Sequence, residues 1–284
     1  MSGTLSSGQE FSIKDEEFAT LSKLIYEQLG IVIAENKRVL LQSRLQKVLR
    51  DHQLRDFGQY IRALENDKGG ASLAELANAI STNHTFFYRE PQHFQIFSER
   101  VLPEAVEYRR AAKSNDLRIW CAAAATGEEP YLLAMLLQEH FKEAYPQWRA
   151  GLLATDISQQ ALDTCKKGIY EYGRLDKLPK LLLEKYFDKA GSESYKVQER
   201  LIREITFRRL NLINFPYPLK GHFDAIFCRN VLIYFDQATR ARVVENLCLQ
   251  LRMGGYLFLG LSETMPVGVG GFKAISPSAY VRVS

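Results

Sequence analysis

The sequence predicts an α/β protein, with a mostly parallel sheet covered by helices, a small all-helical domain ahead of it and an inserted subdomain within it. Three observations carry this. From Leu117 onward apolar strand-like runs alternate with helical stretches, the rhythm of a parallel sheet with helices on both faces. From Lys14 to about Ile80 the apolar residues instead recur at helical spacing. Between about Tyr172 and Phe207 a helical piece, KLPKLLLEKYF, and short strand-like pieces such as EITFRRL break the alternation and read as an insertion. The implied organisation is a flexible N-terminus over 1–12, a helical domain over 13–80, a linker over 81–100 and a sheet domain over 101–284 with the insertion at about 172–207.

Taken in order, Phe18, Leu21, Leu24, Ile25 and Leu29 mark one helical face. Val39, Leu40, Leu45, Val48 and Leu49 mark a second, and Phe57, Tyr60, Ile61 and Leu64 a third. Breaks near Gly30, Asp51 to Arg55 and Lys68 to Ala71 separate them, and the Gly69-Gly70 pair is the clearest stop. In the second half, LRIWCA is followed by the helix YLLAMLLQEHF, WRAGLLATD by SQQALDTCKKG, and FDAIFCRN by a helix around Thr239 to Met253; YLFLG is the next strand. FKAIS and AYVRV flank a Pro-Ser turn and predict a hairpin closing the sheet.

With 46% hydrophobic and 25% charged residues, the 284-residue chain can bury a full core without disulfides or structural metal. The net charge of +4 is too mild to identify a partner, so local clustering carries more information. The four cysteines are scattered, with no CxxC pair and no histidines at ligand spacing, which fits reduced thiols in a cytoplasmic protein and no bound metal. No apolar run reaches the roughly 18 residues of a membrane span, and MSGTLSSGQE has no secretory pattern. The chain is expected to be neither exported nor inserted into a membrane.

The chemistry concentrates where strands end, because ligands of open parallel sheets bind outside the carboxyl ends of the strands. After the first strand comes AAAATGEEPY, with the single Gly127 and with Glu128 and Glu129 where a pyrophosphate would need bare N–H groups. Two like charges about 4 Å apart repel by roughly 4 kcal/mol at an effective dielectric near 20. An acidic loop of this kind suits a ligand that is neutral or cationic around its reactive atom, as S-adenosylmethionine is. For either glutamate the bland alternative is favourable placement in a helix first turn, worth about 0.3–1 kcal/mol. Asp156 closes the second strand, where an acid accepts from a ribose diol, although an acid near the helix beginning at Ser158 needs no ligand to explain it. Arg229-Asn230 directly follows a buried strand, and Tyr234 in VLIYF can place a ring and a hydroxyl over a ligand.

Two further segments stand out. STNHTFFYRE, Ser81 to Glu90, alternates Asn83, Thr85 and Arg89 with aromatic residues between the two predicted domains; the alternative is a strut whose aromatics only fill space. The helix from Lys37 to Arg50 carries Lys37, Arg38, Arg44, Lys47 and Arg50 without an acid. Arg44, Lys47 and Arg50 share one face at three-residue spacing. A solvated face is the default for such a run; a dock for an acidic helix or a phosphate backbone is the alternative.

At these residues the chain resembles the CheR family of chemotaxis receptor glutamate O-methyltransferases. The matching motifs are TNHTFFYRE, WCAAAATGEEPY, the ATD of the second strand, RRLNL, FDAIFCRNVLIYFD and SETM, in family order over most of residues 15 to 284. The resemblance implies a Rossmann-like, S-adenosylmethionine-dependent methyltransferase sheet domain with a small all-helical N-terminal domain and an inserted antiparallel β-subdomain. It implies that Asn83, Thr85, Arg89, Glu129, Asp156, Asn211, Leu212, Arg229, Asn230 and Tyr234 surround the cofactor, with S-adenosylhomocysteine as product. Tyr88 departs from the family's usual phenylalanine, and DKAGSES, Asp188 to Ser194, is shorter and poorer in glycine than the loop of members that bind a receptor's C-terminal pentapeptide. The chain is therefore expected to be pentapeptide-independent and to meet the methylation helices of chemoreceptors through Lys37, Arg38, Arg44, Lys47 and Arg50.

The implied reaction is methyl transfer to a glutamate carboxylate, which is already ionised at neutral pH and needs no general base. Arg89 is expected to orient that carboxylate and Tyr234 to border the methyl group. The protein is expected to act as a cytoplasmic monomer and not on nucleic acid. A nucleic-acid methyltransferase, a nicotinamide-dependent oxidoreductase and a non-catalytic receptor-binding adaptor share the sheet architecture and stay open on the residues alone.

Overall fold

Residues 11–284 are described by a computed structural model. They form two compact units: one runs to Thr82 and includes Tyr234–Asp236, the other comprises Asn83–Ile233 and Gln237–Ser284.

The described residues of the first unit include the α-helices α1 (Asp15–Leu29), α2 (Arg38–Asp51), α3 (Phe57–Glu65) and α4 (Ala71–Ile80). Asp15, Glu16 and Glu17 occupy the first turn of α1, where the helix dipole favours negative charge, and Glu17 accepts from the Lys14 backbone N–H at 2.9 Å. The Asp56 carboxylate caps α3 by accepting from Gln59 N at 2.7 Å. Most of the periodic apolar residues face inward, with Leu21, Ile25, Leu45, Leu49, Phe57 and Leu76 fully buried, but Val39 and Leu40, expected on the second helical face, are exposed at the start of α2. Of the expected flexible N-terminus, residues 1–10 lie outside the described residues; at Phe11 the expectation is corrected. Phe11 is buried and clasped by Gln46, whose amide accepts from Phe11 N at 3.1 Å and donates to Phe11 O at 2.7 Å.

The second unit opens with an extended stretch and a helical run of α5 (Pro91–Ile96), a π-helical turn (Phe97–Val101) and α6 (Leu102–Ala111). Residues 91–100 are thus the first turns of a packed helix rather than linker, because His93, Phe94 and Phe97 are buried. There follow β1 (Asp116–Cys121), α7 (Glu128–Phe141), β2 (Arg149–Asp156), α8 (Gln159–Lys167), β3 (Ile169–Glu171), α9 (Lys180–Tyr186), β4 (Phe187–Lys189), β5 (Ser194–Val197), α10 (Glu199–Ile202) and β6 (Ile205–Arg209). The chain ends with β7 (Phe223–Cys228), α11 (Gln237–Gln250), β8 (Leu251–Leu259), β9 (Phe272–Ser276) and β10 (Ala279–Arg282).

The main sheet has the order β6-β2-β1-β7-β8-β10-β9. Its first five strands are parallel, and the predicted hairpin of β9 and β10 adds the antiparallel edge. Every residue of β7 is buried, as expected of a central parallel strand covered on both faces. The insertion is a three-stranded antiparallel sheet, β3-β5-β4. Its extent is corrected: it begins at β3, and EITFRR is not part of it but pairs with β2 as the parallel edge strand β6. An edge strand half open to water looks as short and polar in sequence as a strand of a small subdomain. Likewise α11 stops at Gln250, and Leu251–Met253 begin β8, whose pairing with β7 shifts register between Phe223 and Ala225.

Candidate active site

Chain order puts β2 and β6 on one side of β1 and β7 and β8 on the other, so the sheet reverses direction between β1 and β7. The crevice of such a sheet opens at the carboxyl ends of those two strands. Along that edge the order brings together Leu210–Leu212 after β6, Asp156 at the end of β2, Ala122–Glu129 after β1, Arg229-Asn230 after β7 and Gly260–Glu263 after β8.

Arg229 ties these loops. Its side chain is 1% exposed, pairs with Glu129 and with Glu90 (3.0 Å), donates to the Arg89 carbonyl, and lies 5.1 Å over the Phe94 ring. Glu90 in turn accepts from Asn230 Nδ2 and from Leu261 N, each at 3.0 Å. Burial pushes the Glu90 carboxyl up, but the Asn230 hydrogen bond and the Arg229 charge outweigh it and hold it below the usual carboxylate range. Asn230, in the left-handed region at φ 58, donates its N–H to Glu263 at 2.8 Å. Buried Glu263 also accepts from Gly260 N at 2.7 Å and Ile233 N at 3.2 Å. Burial raises its carboxyl despite those donors.

On the other side of β1, Asp156 closes the loop: Oδ2 accepts from Ala125 N and Oδ1 from Ser158 N, both at 2.9 Å. Its carboxyl is raised by burial against these bonds. Gly127 stands at φ 105, and a Cβ there would meet the Tyr170 hydroxyl at 2.6 Å, so the turn into α7 requires glycine. Glu128 is fully buried, accepts from Thr126 Oγ1 at 2.8 Å and pairs with Arg174.

Residues 83–281 match the family described as CheR methyltransferase, SAM binding domain, and residues 16–81 match CheR methyltransferase, all-alpha domain. The chain belongs to the CheR methyltransferase family. Among its relatives are the chemotaxis protein methyltransferase of Borreliella burgdorferi, 37% identical over 271 residues and 95% of each chain, and that of Escherichia coli, 36% identical over 258 residues, 90% of this chain and 86% of that one. Chemotaxis protein methyltransferase 2 of Pseudomonas aeruginosa is 36% identical over 90% of this chain and 89% of its own. The protein is an S-adenosylmethionine-dependent methyltransferase of chemotaxis.

The CheR cofactor suits the donor set at this edge. Asp156 and Glu129 stand at adjacent loops, and a carboxylate offers about four lone-pair directions, some of which Asp156 uses on the backbone N–H groups of Ala125, Ser158 and Ile157. The rest can accept from hydroxyl or ammonium donors. The loop between them is built of Ala122, Ala123, Ala124 and Ala125, which leaves the backbone approachable. The electrostatic reason for a cationic ligand, however, needs correction. Glu128 and Glu129 are not a bare acidic pair, since each is matched to its own arginine, Arg174 and Arg229. Nor is either one merely a dipole-complementing residue of the first helical turn.

The other candidate residues are placed as follows. Asn83 and Thr85 lie, partly buried, at the start of the sheet unit, and the Thr85 carbonyl accepts from Arg174 Nη2 at 3.3 Å. Phe87 is a core residue, edge-on to Tyr170 and Phe187 at 5.2 and 5.7 Å. Arg89 keeps 30% of its side chain exposed and donates to the His84 carbonyl at 3.1 Å. Asn211 and Leu212 follow β6, and Leu210 N bonds to the Asp156 carbonyl at 3.0 Å. Tyr234 belongs to the segment built into the helical unit, where its carbonyl accepts from Val32 N at 2.9 Å. Of the basic helix, Arg38 is committed to Asp15 and Glu35, each at 2.7 Å, and Arg44 to the Ile80 carbonyl and Thr82 Oγ1. Lys37, Lys47 and Arg50 are exposed.

Glu90, Glu263, His93 and Arg174 were not among the expected site residues. Glu90 and Glu263 lie inside the motifs YRE and SETM, where a buried acid in a loop was the available signal; Arg174 carried none. His93 is fully buried against Phe258 at 5.6 Å, with Nδ1 3.6 Å from Glu90. Burial and the Arg229 charge lower it from 6.5 to about 4. The unfolded chain therefore binds the extra proton between those values, and stability present above pH 6.5 is lost as pH falls to about 4, by about 3 kcal/mol. Urea unfolding followed across that range should show this loss, and His93→Gln should flatten it.

Proposed function

We propose that this protein transfers the methyl group of S-adenosylmethionine to glutamate side chains of the cytoplasmic methylation helices of chemoreceptors, leaving methyl esters and S-adenosylhomocysteine. The observation that supports it most is the convergence of Glu129, Arg229, Asn230 and Asp156 at the sheet's reversal point, within a segment that matches the CheR cofactor-binding domain. The cofactor supplies an electrophilic methyl on a sulfonium. Asn83, Thr85, Arg89, Glu129, Asp156, Asn211, Leu212, Arg229, Asn230 and Tyr234 are the residues assigned to hold it. The substrate carboxylate is ionised near neutral pH, since glutamate titrates at about 4.3, so neither a general base nor a metal is required. The residues' part is positioning, which can contribute roughly 7–11 kcal/mol.

Arg89 is assigned to orient the incoming carboxylate, consistent with its part-exposed guanidinium. Arg89→Ala should then lower turnover much more than cofactor affinity, and an equal loss of both would reassign it to cofactor binding. Exposed Lys37, Lys47 and Arg50 are assigned to the receptor's acidic helices, with Arg38 and Arg44 supporting the helix that carries them. The turn between β4 and β5 is short, closed by Ala190 N to Ser194 O at 2.9 Å, which supports pentapeptide independence. The protein is assigned to the cytoplasm as a monomer; no helix among the described residues is long and apolar enough to cross a membrane.

Calorimetric titration with S-adenosylmethionine and S-adenosylhomocysteine, followed by methyl transfer to receptor fragments with and without a C-terminal pentapeptide, tests this reading. Binding with equal methylation of both fragments is expected. Failure to bind either cofactor overturns it.

A further inference from the structure

Between β3 and α9 the insertion sends Arg174 back to the cofactor loop. Arg174 Nη2 pairs with Glu128, donates to Thr126 Oγ1 at 2.8 Å and reaches the Thr85 carbonyl at 3.3 Å. Tyr170 of β3 adds a hydrogen bond from its hydroxyl to the Thr126 carbonyl at 2.7 Å and fills the space that a side chain at Gly127 would need. Thr126 and Glu128 are thus held from the insertion by two hydrogen bonds and an ion pair, and Glu129, the next residue, is held from the opposite side by Arg229. The same guanidinium touches Thr85, on the other segment assigned to the cofactor. A fully buried carboxylate needs such a partner to remain in place, because an unpaired buried charge is costly.

We propose that Arg174 is a positioning residue for S-adenosylmethionine, through which the inserted subdomain holds the loop after β1 and the Thr85 segment in their cofactor-binding arrangement. This rests on the cofactor assignment above. The insertion is then part of the binding machinery of the sheet unit, and disturbing it is felt as lost cofactor affinity rather than as slower methyl transfer.

The test is titration of the full-length protein with S-adenosylhomocysteine, paired with KM and kcat for S-adenosylmethionine and with thermal unfolding. Arg174→Met leaves Glu128 buried and unmatched, so the double variant Arg174→Met/Glu128→Gln, which removes both charges, is measured beside it. Partners that orient metal-binding side chains typically set about 10- to 100-fold in affinity, and an effect of that order is expected for this loop. The double variant is expected to fold, to bind S-adenosylhomocysteine roughly 10-fold or more weakly, and to raise KM for the cofactor with kcat at saturation unchanged. Arg174→Lys is expected to recover most of the affinity, because all three acceptors converge on one nitrogen and an ammonium carries three donors. Wild-type affinity and KM in the double variant would overturn the proposal while leaving the cofactor assignment intact. Absence of binding by the unaltered protein would overturn the assignment and the proposal with it.

Discussion

Glu90→Ala is expected to lower kcat/KM for methyl transfer by roughly 100-fold or more, since displacing a reacting geometry by about 1 Å can cost that much. One carboxylate satisfies three donors from two loops: Arg229 and Leu261 N on Oε2, and Asn230 Nδ2 on Oε1. Without it Arg229 keeps only Glu129 as an acidic partner, and Asn230 loses the bond that aims its amide. Glu90→Gln should be much milder. Its amide oxygen can serve Arg229 and Leu261 while its NH2 faces Asn230, whose own amide can turn over to present oxygen. Steady-state kinetics on the two variants, with circular dichroism to confirm folding, checks this; near wild-type kcat/KM in the alanine variant would show that both loops hold their places without Glu90.

At the opposite end of the same strand, Asp224→Ala should cost about 3–5 kcal/mol of stability, the usual effect of breaking a buried ion pair by removing one partner. Asp224 is fully buried and accepts from Arg109 Nε and Nη2 (3.0 and 2.8 Å), Arg252 Nε (2.7 Å) and Arg118 N (2.9 Å). Its removal strands two guanidiniums whose side chains are only 16% and 10% exposed. Chemical unfolding of the variant measures the loss. Because Asp224 lies at the start of β7 and Arg229 follows its last residue, Cys228, cofactor affinity of the folded variant should be close to wild type; a large affinity loss would show that the two ends are coupled.

Much of this architecture was legible in the residue pattern. The first three helices of the first unit follow their apolar spacing, Val39 and Leu40 excepted, and the breaks at Gly30, Asp51 to Arg55 and Lys68 to Ala71 coincide with helix ends because glycines and capping acids act within a few residues. The misreadings fall where one pattern fits two environments. EITFRR serves equally as a strand of a small subdomain or as the open edge of a large sheet, and only its pairing with β2 distinguishes them. Leu251–Met253 continue an apolar helix as readily as they begin a strand. Arg38 and Arg44 lie on a basic run in sequence; Glu35, three residues before Arg38, is a local partner, but Asp15, Ile80 and Thr82 come from other elements and could not be seen in the helix itself.

Periodicity and the order of the motifs were enough to establish the α/β class, the helical domain ahead of it, the insertion and the resemblance to CheR, because each depends on residues near one another along the chain. Which charges are matched was decided only by the folded structure. Glu129 meets Arg229 because the strand order lays β1 beside β7, Glu128 meets Arg174 and Glu90 reaches Asn230, and a pairing between distant residues leaves no trace in local spacing. For the same reason the loop after β1, acidic when read along the chain, is charge-matched in three dimensions.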